Sequence, residues 1–238
     1  MSDLELCYLP ATEAIDRFKA KTLSPVELLT ALIDRAEQAE PVINAFTYRH
    51  FDEAMDKASK AEAKYMSGKR TRALEGLPVG IKDESHIKGK PTSNGSLIMK
   101  DFVAPTTSVG NERILRAGGI VHARTATPEF SSAFCTHSRL WGVTRNPWNP
   151  EFTPGGSSGG TAASLAAGTS TIATGSDIAG SIRNPAGTCG LVGYKPPYGR
   201  NSDDPPFNLD FYCHTGPLAR NVRDVILLQN VLCGPHPK

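Results

Sequence analysis

Two serines in glycine-rich backbone and one lysine far upstream are the residues of this sequence best suited to chemistry. Ser157 lies within the run 155–160, which reads GGSSGG, and Ser181 follows Gly180. Lys82 comes much earlier, directly after the apolar run 77–81. A serine hydroxyl attacks carbonyl carbon when a base takes its proton, and a neutral amine is such a base. These residue types therefore indicate nucleophilic acyl chemistry.

Lys82 can act as a base only if its surroundings disfavour the ammonium form. The pKa of a free lysine is about 10.4, and burial is the usual cause of a lower value. The run 77–81 predicts a buried strand that ends at Lys82, and strand alternation would place Asp83 on the opposite face. The alternative, a surface lysine at a strand end, would be preferred if the serines were absent.

Ser181 and Ser157 each have a structural and a chemical interpretation. Ser181 precedes Ile182 at a loop-to-helix junction, where backbone N–H groups converge and can hold an oxyanion. A helix N-cap is the commoner role of such a serine. Ser157 could belong to a flexible Gly/Ser linker, but the helix and strand predicted directly after it argue against a linker.

These three elements, in this order and at these spacings, resemble the amidase signature family of Ser-cisSer-Lys amide hydrolases. The resemblance covers roughly residues 69–231. It implies that Ser181 is the nucleophile and that Lys82 is the base. It also implies that Ser157, after a cis peptide bond from Gly156, relays the proton between them.

The same resemblance implies an oxyanion hole made by consecutive backbone N–H groups, those of Ile178, Ala179, Gly180 and Ser181. The family pattern has glycine where this chain has Ala179, and a β-carbon there would be costly if φ is positive. Supporting roles are implied for four further positions, which are Gly156, Ser158, Asp177 and Arg183.

Two other motifs offer competing interpretations. The run 155–159 also satisfies GxSxG, the nucleophile elbow of α/β-hydrolases, which would make Ser157 the nucleophile. That fold needs an acid and then a histidine later in the chain, and only His214 and His236 follow. The segment 85–88 matches SxxK, but no SDN or KTG partner accompanies it, so coincidence is favoured.

Composition sets the outer limits. The chain has 238 residues, 39% hydrophobic and 21% charged, which is typical of a soluble globular protein. A net charge of +2 gives no reason to expect nucleic acid or a membrane as partner. No apolar run has transmembrane length, and the start lacks signal-peptide character, so a cytoplasmic protein is expected. Five cysteines without a CxxC pair favour reduced thiols over a disulfide framework or a zinc site.

The pattern of elements predicts an α/β fold with a mixed sheet covered by helices, of the amidase signature type. Residues 1–68 are predicted to form a helical lead-in. Residues 69–238 would form the first half of the amidase signature core, with the C-terminal half absent. In the lead-in, helices are predicted at 11–19, from the Ser24–Glu27 capping box to before Pro41, and at 51–66, with a strand at 43–48. In the core, strands are predicted at 77–81, 120–123 and 170–174, and helices at 111–117, 161–167 and 221–232.

The functional expectation is an amidase that hydrolyses a small, non-peptide carboxylic amide through a seryl acyl-enzyme. No metal or cofactor is expected, and a homodimer is possible. A second hypothesis is the glutamine-hydrolysing subunit of a tRNA-dependent amidotransferase, although the stretch 199–215 does not look like the matching stretch of those subunits. A third is a truncated fragment that carries the three residues but cannot perform the reaction.

Overall fold

The computed structural model describes residues 3–205 and 207–237. Eight α-helices lie within this part of the chain. They are α1 (Asp3–Cys7), α2 (Ala11–Ala20), α3 (Pro25–Ile43), α4 (Phe51–Met66), α5 (Val109–Arg116), α6 (Gly159–Ala166), α7 (Arg183–Thr188) and α8 (Val222–Leu232). None of these described helices is both long and apolar enough to span a lipid bilayer.

Eight β-strands are present in the same described residues. They are β1 (Phe46–Arg49), β2 (Pro78–Lys82), β3 (Ile120–Thr125), β4 (His137–Ser138), β5 (Gly142–Val143), β6 (Ile172–Asp177), β7 (Val192–Gly193) and β8 (His214–Ala219). Six of them form one sheet in the order β1-β3-β2-β6-β8-β7, and β4 pairs with β5 as a separate hairpin. The three central strands β3, β2 and β6 are parallel, whereas β1, β8 and β7 add antiparallel pairs. The prediction of a mixed α/β sheet is confirmed.

Helices cover both faces of this sheet, and strand β2 shows why. Val79 and Ile81 are fully buried in a large apolar cluster that also holds side chains of α2, α3, α5 and α8. Gly80 and Lys82 alternate to the opposite face. That face is covered by α6 and α7, whose small side chains form a second cluster around Leu165 and Ile182. Gly80 permits a close approach there, since a Cβ on it would lie 3.1 Å from the Cβ of Ala173.

The lead-in packs onto the same sheet as the rest of the chain. Strand β1 pairs with β3, and the start of α2 is held by a residue of α8. The carboxylate of Asp224 accepts hydrogen bonds from the N–H groups of Ala11 at 2.8 Å and Thr12 at 2.9 Å. The division at residue 68 stays a prediction.

The helix that begins at the capping box is longer than predicted. Ser24 and Glu27 form the capping box, as expected. The helix then continues through Pro41 to Ile43 instead of ending before the proline. A proline this close to the end removes a single backbone hydrogen bond, and Asn44 in the left-handed conformation closes the helix.

Several elements were displaced or missing in the prediction. The strand predicted at 43–48 begins at Phe46, because α3 occupies the earlier positions. Strand β8 was not predicted, since Gly216 and Pro217 interrupt it and are residues that usually break strands. Helices α1 and α7 and the short strands β4, β5 and β7 also had no counterpart. The other predicted helices and strands are present within a few residues of their expected bounds.

Candidate active site

The candidate site lies at the carboxyl ends of the parallel strands, where α/β sheets commonly bind ligands. Lys82 is the last residue of β2, and Asp177 is the last residue of β6. A cavity of about 430 Å³ opens beside them, and Ser157 and Ser181 both line it. The fold therefore brings together residues that are widely separated in the sequence.

Lys82 is buried, as the apolar run before it predicted. Its side chain is 1% exposed, and its Nζ lies 2.8 Å from Ser157 Oγ. The same nitrogen lies 2.9 Å from Ser176 Oγ and 3.0 Å from Glu84 Oε2. An ammonium group has three N–H donors, so these three oxygens satisfy it completely.

The protonation of Lys82 is set by two opposing effects. Burial lowers the pKa of Lys82 below its ordinary value, and the neighbouring Glu84 carboxylate acts against that shift. Burial alone would raise the pKa of Glu84, but Lys82 and the hydroxyl of Ser131 bring it below the ordinary value. The amine is thus easier to deprotonate than a surface lysine while it still faces an anion.

Ser157 is held in tightly packed glycine backbone. Its residue is fully buried, and the peptide bond from Gly156 to Ser157 is cis, as the resemblance implied. A Cβ on Gly156 would lie 2.7 Å from the carbonyl oxygen of Ala133. The glycine at this position is therefore required by space, because its backbone lies directly against a neighbouring loop.

Ser158 and the first turn of α6 complete this part of the site. Ser158 N–H donates to the carbonyl oxygen of Ser181 at 3.1 Å, which ties the two serine segments together. Gly159 and Gly160 begin the helix in close contact with other residues, and a Cβ on Gly160 would lie 2.3 Å from the nitrogen of Ala126. The helix start is thereby fixed against the end of β3.

Asp177 organises the loop that carries Ser181. Its carboxylate accepts hydrogen bonds from the backbone N–H groups of Gly180 at 2.7 Å and Ile182 at 3.1 Å. Arg183 donates to the same carboxylate through Nε and Nη2, both at 2.9 Å. Burial acts to raise the pKa of Asp177, but these donors hold it well below its ordinary value. Asp177 therefore remains ionised and fixes the turn, which fits the supporting role expected for it and for Arg183.

The backbone N–H groups of this loop differ in what they can bind. The Gly180 N–H is engaged with Asp177, so the expectation that it faces an oxyanion does not match this arrangement. Within the described residues, the N–H groups of Ile178, Ala179 and Ser181 make no hydrogen bond. The positive φ of this loop falls on Gly180, at 129°, and not on Ala179. The β-carbon of Ala179 therefore brings no backbone strain.

Ser181 lies on the wall of the same cavity as Ser157. Among the described residues its hydroxyl forms no hydrogen bond, including none with Ser157 Oγ. The structure thus brings Lys82 and Ser157 into direct contact and places Ser181 beside them. Among the described residues that line this cavity there is no histidine: neither His214 nor His236, which a GxSxG enzyme would need, is one of them, and the His214 ring lies 3.0 Å from the carbonyl oxygen of Phe211.

Sequence reasoning missed two of the three groups that contact Lys82 Nζ. Glu84 follows Lys82 by two residues, and side chains two apart share a face of extended chain, so this spacing was a usable signal. Ser176 precedes Asp177 at the end of β6. Only the pairing of β6 beside β2 places it near Lys82, and the sequence alone does not supply that pairing.

Solved structures that share this sheet include enzymes named for the cleavage of amides. A bacterial aryl acylamidase of the amidase signature family superimposes with a TM-score of 0.91 at 34% identity, covering 96% of this chain and 48% of that one. For 6-aminohexanoate cyclic dimer hydrolase, the TM-score is 0.89 at 33% identity, covering 97% of this chain and 48% of that one.

The chain belongs to the Amidase family, whose profile matches residues 27–238. Its curated relatives include the A subunit of the glutamyl-tRNA(Gln) amidotransferase of Carboxydothermus hydrogenoformans. The two are 39% identical over 239 residues, which cover 99% of this chain and 49% of that protein. The chain therefore spans about half the length of the relatives it matches. The predicted membership of the amidase signature family is confirmed.

Proposed function

We propose that this chain carries the proton relay and nucleophile of an amide hydrolase, with Ser181 as nucleophile, Ser157 as relay and Lys82 as base. The observation that carries the proposal is the contact of 2.8 Å between the buried Lys82 Nζ and Ser157 Oγ, on a cavity that Ser181 also lines. A nucleophile, a base and a group between them are the parts that covalent catalysis requires.

The first half of the reaction forms an acyl-enzyme. Neutral Lys82 accepts the proton of Ser157 Oγ as Ser157 Oγ takes the proton of Ser181. Ser181 Oγ forms a bond to the amide carbonyl carbon, and the electron pair of the C=O double bond moves to oxygen. The tetrahedral intermediate then collapses and the C–N bond breaks. The leaving nitrogen takes a proton from Ser157, which Lys82 replaces, so the amine departs neutral and the relay returns to its starting state.

The second half consumes water. Water gives its proton to the same relay and attacks the acyl carbon, and the ester bond to Ser181 breaks as Ser181 Oγ regains a proton. The products are a carboxylic acid and ammonia or an amine. Three N–H groups without internal partners among the described residues, those of Ile178, Ala179 and Ser181, are the candidates to stabilise the oxyanion in both halves.

The test is covalent labelling of the purified chain with a fluorophosphonate, read by intact mass. One adduct is expected on the wild-type chain and none on Ser181→Ala. Ser132→Ala is the matched control, because Ser132 lines the same cavity but donates its hydroxyl to the carbonyl oxygen of Phe130. Absence of an adduct on the wild-type chain would mean that these 238 residues do not assemble a working site.

A second candidate function, hydrolysis of glutamine, is favoured by the identity with the A subunit of glutamyl-tRNA(Gln) amidotransferase. The charges of the cavity oppose it. The charged side chains among the described residues that line the cavity are Glu84, Asp203 and Asp204, all acidic. The described lining offers no cationic side chain to pair with the carboxylate of glutamine, although its acidic groups could pair with the ammonium. We therefore favour a neutral amide, and the aromatic side chains of Phe130 and Phe134 provide apolar surface for it.

One assay distinguishes the two candidate functions. Release of 4-nitroaniline from 4-nitroacetanilide and release of ammonia from glutamine are measured on the same preparation, with Ser181→Ala as blank. Hydrolysis of the anilide without glutaminase activity supports the first candidate, and the reverse result would replace it with the second.

A further inference from the structure

Glu84 is the feature of this site that the proposed reaction leaves unexplained. It is the carboxylate that contacts the buried amine, with Oε2 at 3.0 Å from Lys82 Nζ, and it faces the cavity with 20% of its side chain exposed. A carboxylate that loses part of its hydration is stabilised by pairing with a cation. The pairing with Lys82 is therefore the reason that Glu84 can be there.

Glu84 is also held in place by the loop that carries Ser131. Ser131 Oγ donates to the same Oε2 at 2.6 Å, and Ser131 in turn lies 3.0 Å from Thr127 Oγ1. Ser131 and the preceding Phe130 both have positive φ, at 57° and 50°, a conformation that non-glycine residues adopt uncommonly. The loop thus takes an unfavourable backbone path that aims a hydroxyl at Glu84.

The other ionisable groups near Lys82 do not substitute for Glu84. Asp177, on β6, is occupied by Arg183 and has Lys195 Nζ 3.6 Å away. Cys213, just before β8, is a neutral thiol, because burial raises its pKa to about 12. Helix α6, which covers this face, carries no ionisable side chain.

Two charges at the base of the site lie beyond the reach of the amine. Asp83 is directed to the opposite face, where it bonds Ser93. Arg124, on β3, contacts Lys82 at its carbonyl oxygen, at 3.1 Å. Within the described residues, Glu84 is therefore the anion that directly faces the amine.

We propose, on the basis of the proposed function, that Glu84 is a positioning residue of the relay: it aims the Lys82 amine at Ser157 and stabilises the positive charge that Lys82 gains when Ser157 gives up its proton. Removing the carboxylate then has two consequences of opposite sign. The amine loses its proton at a lower pH, so the base is available over a wider range. The ammonium formed during the reaction is less stable, so the maximal rate falls.

A direct test follows the titration of Lys82 and does not depend on activity. The chain is labelled with ¹³C at lysine Cε, the Lys82 signal is assigned by its absence in Lys82→Met, and its chemical shift is followed against pH. Glu84→Gln is expected to move the midpoint down by about one pH unit or more, the size typical of losing an adjacent opposite charge. Glu84→Asp keeps the charge and should restore most of the shift.

The matched control is Glu129→Gln. Glu129 belongs to the same loop as Ser131, but it accepts its hydrogen bond from Ser96 Oγ, at 2.7 Å. The Lys82 midpoint should not move in this variant. A midpoint that is equal in the wild type and in folded Glu84→Gln would overturn the proposal. If Glu84→Gln does not fold, Ser131→Ala decides, since loosening Glu84 should give a smaller shift in the same direction and no shift would again overturn it.

The pH profile of fluorophosphonate labelling supplies the second readout. Labelling should rise with pH as Lys82 loses its proton, and in Glu84→Gln this rise should occur at lower pH and reach a lower plateau. An unlabelled wild type with a shifted Lys82 midpoint would defeat the proposed function but leave the counter-ion contact standing. A labelled wild type with an unmoved midpoint would defeat the role of Glu84 alone.

Discussion

Two ion pairs lie on opposite faces of the chain where β2 ends, and they are built for different purposes. Arg124 and Asp83 are both fully buried, with Nη2 and Oδ1 3.7 Å apart. Lys82 and Glu84 are closer, at 3.0 Å, and the glutamate reaches the cavity. Side chains alternate in extended chain, so Lys82 and the next residue, Asp83, point to opposite faces and each forms its pair there. The end of β2 thus holds a closed pair, Arg124 and Asp83, and an open pair, Lys82 and Glu84, which reaches the cavity.

The closed pair is tied to backbone groups and to the one hydroxyl of Ser93, whereas the Lys82 amine of the open pair is tied to hydroxyls and its glutamate. Arg124 donates to the carbonyl oxygens of Lys82 and Ser85, and Asp83 accepts from the N–H of Ser93. Burial raises the pKa of Asp83 and lowers that of Arg124, so desolvation opposes both charges. Fixed partners of this kind hold the end of β2 in position. The rotatable hydroxyls around Lys82 are instead groups that can exchange protons.

The largest expected effect comes from breaking the closed pair. Arg124→Met leaves Asp83 without its cation in a site with no exposure, and such losses cost about 3–5 kcal/mol of unfolding free energy. Urea denaturation followed by circular dichroism measures the change. The double variant Arg124→Met/Asp83→Asn should recover much of it, and a double variant as unstable as the single one would show that the charge is not the cause.

The second-largest effect is expected at acid pH, where protonation of His122, on the same strand as Arg124, should lower the free energy of unfolding by about 3 kcal/mol. Burial lowers the pKa of His122 from 6.5 to about 4. The unfolded chain therefore binds more protons than the folded chain between these values, so stability falls as the pH falls through that window. Urea midpoints of wild type and His122→Asn across it measure the contribution, and parallel pH slopes would contradict it.

Breaking the open pair should cost less stability and far more reactivity. Lys82→Met leaves Glu84 with the Ser131 hydrogen bond and contact with the cavity, so a loss of about 1–2 kcal/mol is expected. Fluorophosphonate labelling of Ser181 should disappear in the same protein. A stability loss as large as that of Arg124→Met would remove the distinction between the two pairs.

The smallest effect is expected from Arg183→Ala. Its side chain is 55% exposed where it meets Asp177, and exposed pairs contribute at most about 1 kcal/mol. Asp177 keeps its backbone donors, Gly180 and Ile182, in this variant. A loss well above about 1 kcal/mol in thermal or urea unfolding would show that the arginine, rather than the amides, fixes the loop.

The sequence was most informative where a local pattern determined the environment of a residue. The apolar run 77–81, taken together with the two serines, predicted the burial of Lys82, and the structure shows Lys82 buried. The capping box predicted the start of α3 correctly. Contacts that depend on which strands pair could not be predicted from local sequence patterns. Ser176 reaches Lys82 only because β6 lies beside β2. Strand β8 was not predicted because it contains Gly216 and Pro217, which are unusual within strands.

The tight packing of Gly156 and Gly160 determines which substitutions the backbone before and at the start of α6 can tolerate. At both positions even the single carbon of alanine would overlap backbone atoms, which cannot rotate away as a side chain can. Gly180 is restricted differently, since a Cβ there has open space with its nearest neighbour 3.9 Å away, and only its φ of 129° disfavours other residues. Gly156 and Gly160 are thus required because a side chain has no room there, whereas Gly180 is favoured because its φ is positive. A substitution at Gly156 must displace the backbone before α6 and one at Gly160 the start of α6, whereas one at Gly180 requires only that its own backbone change conformation.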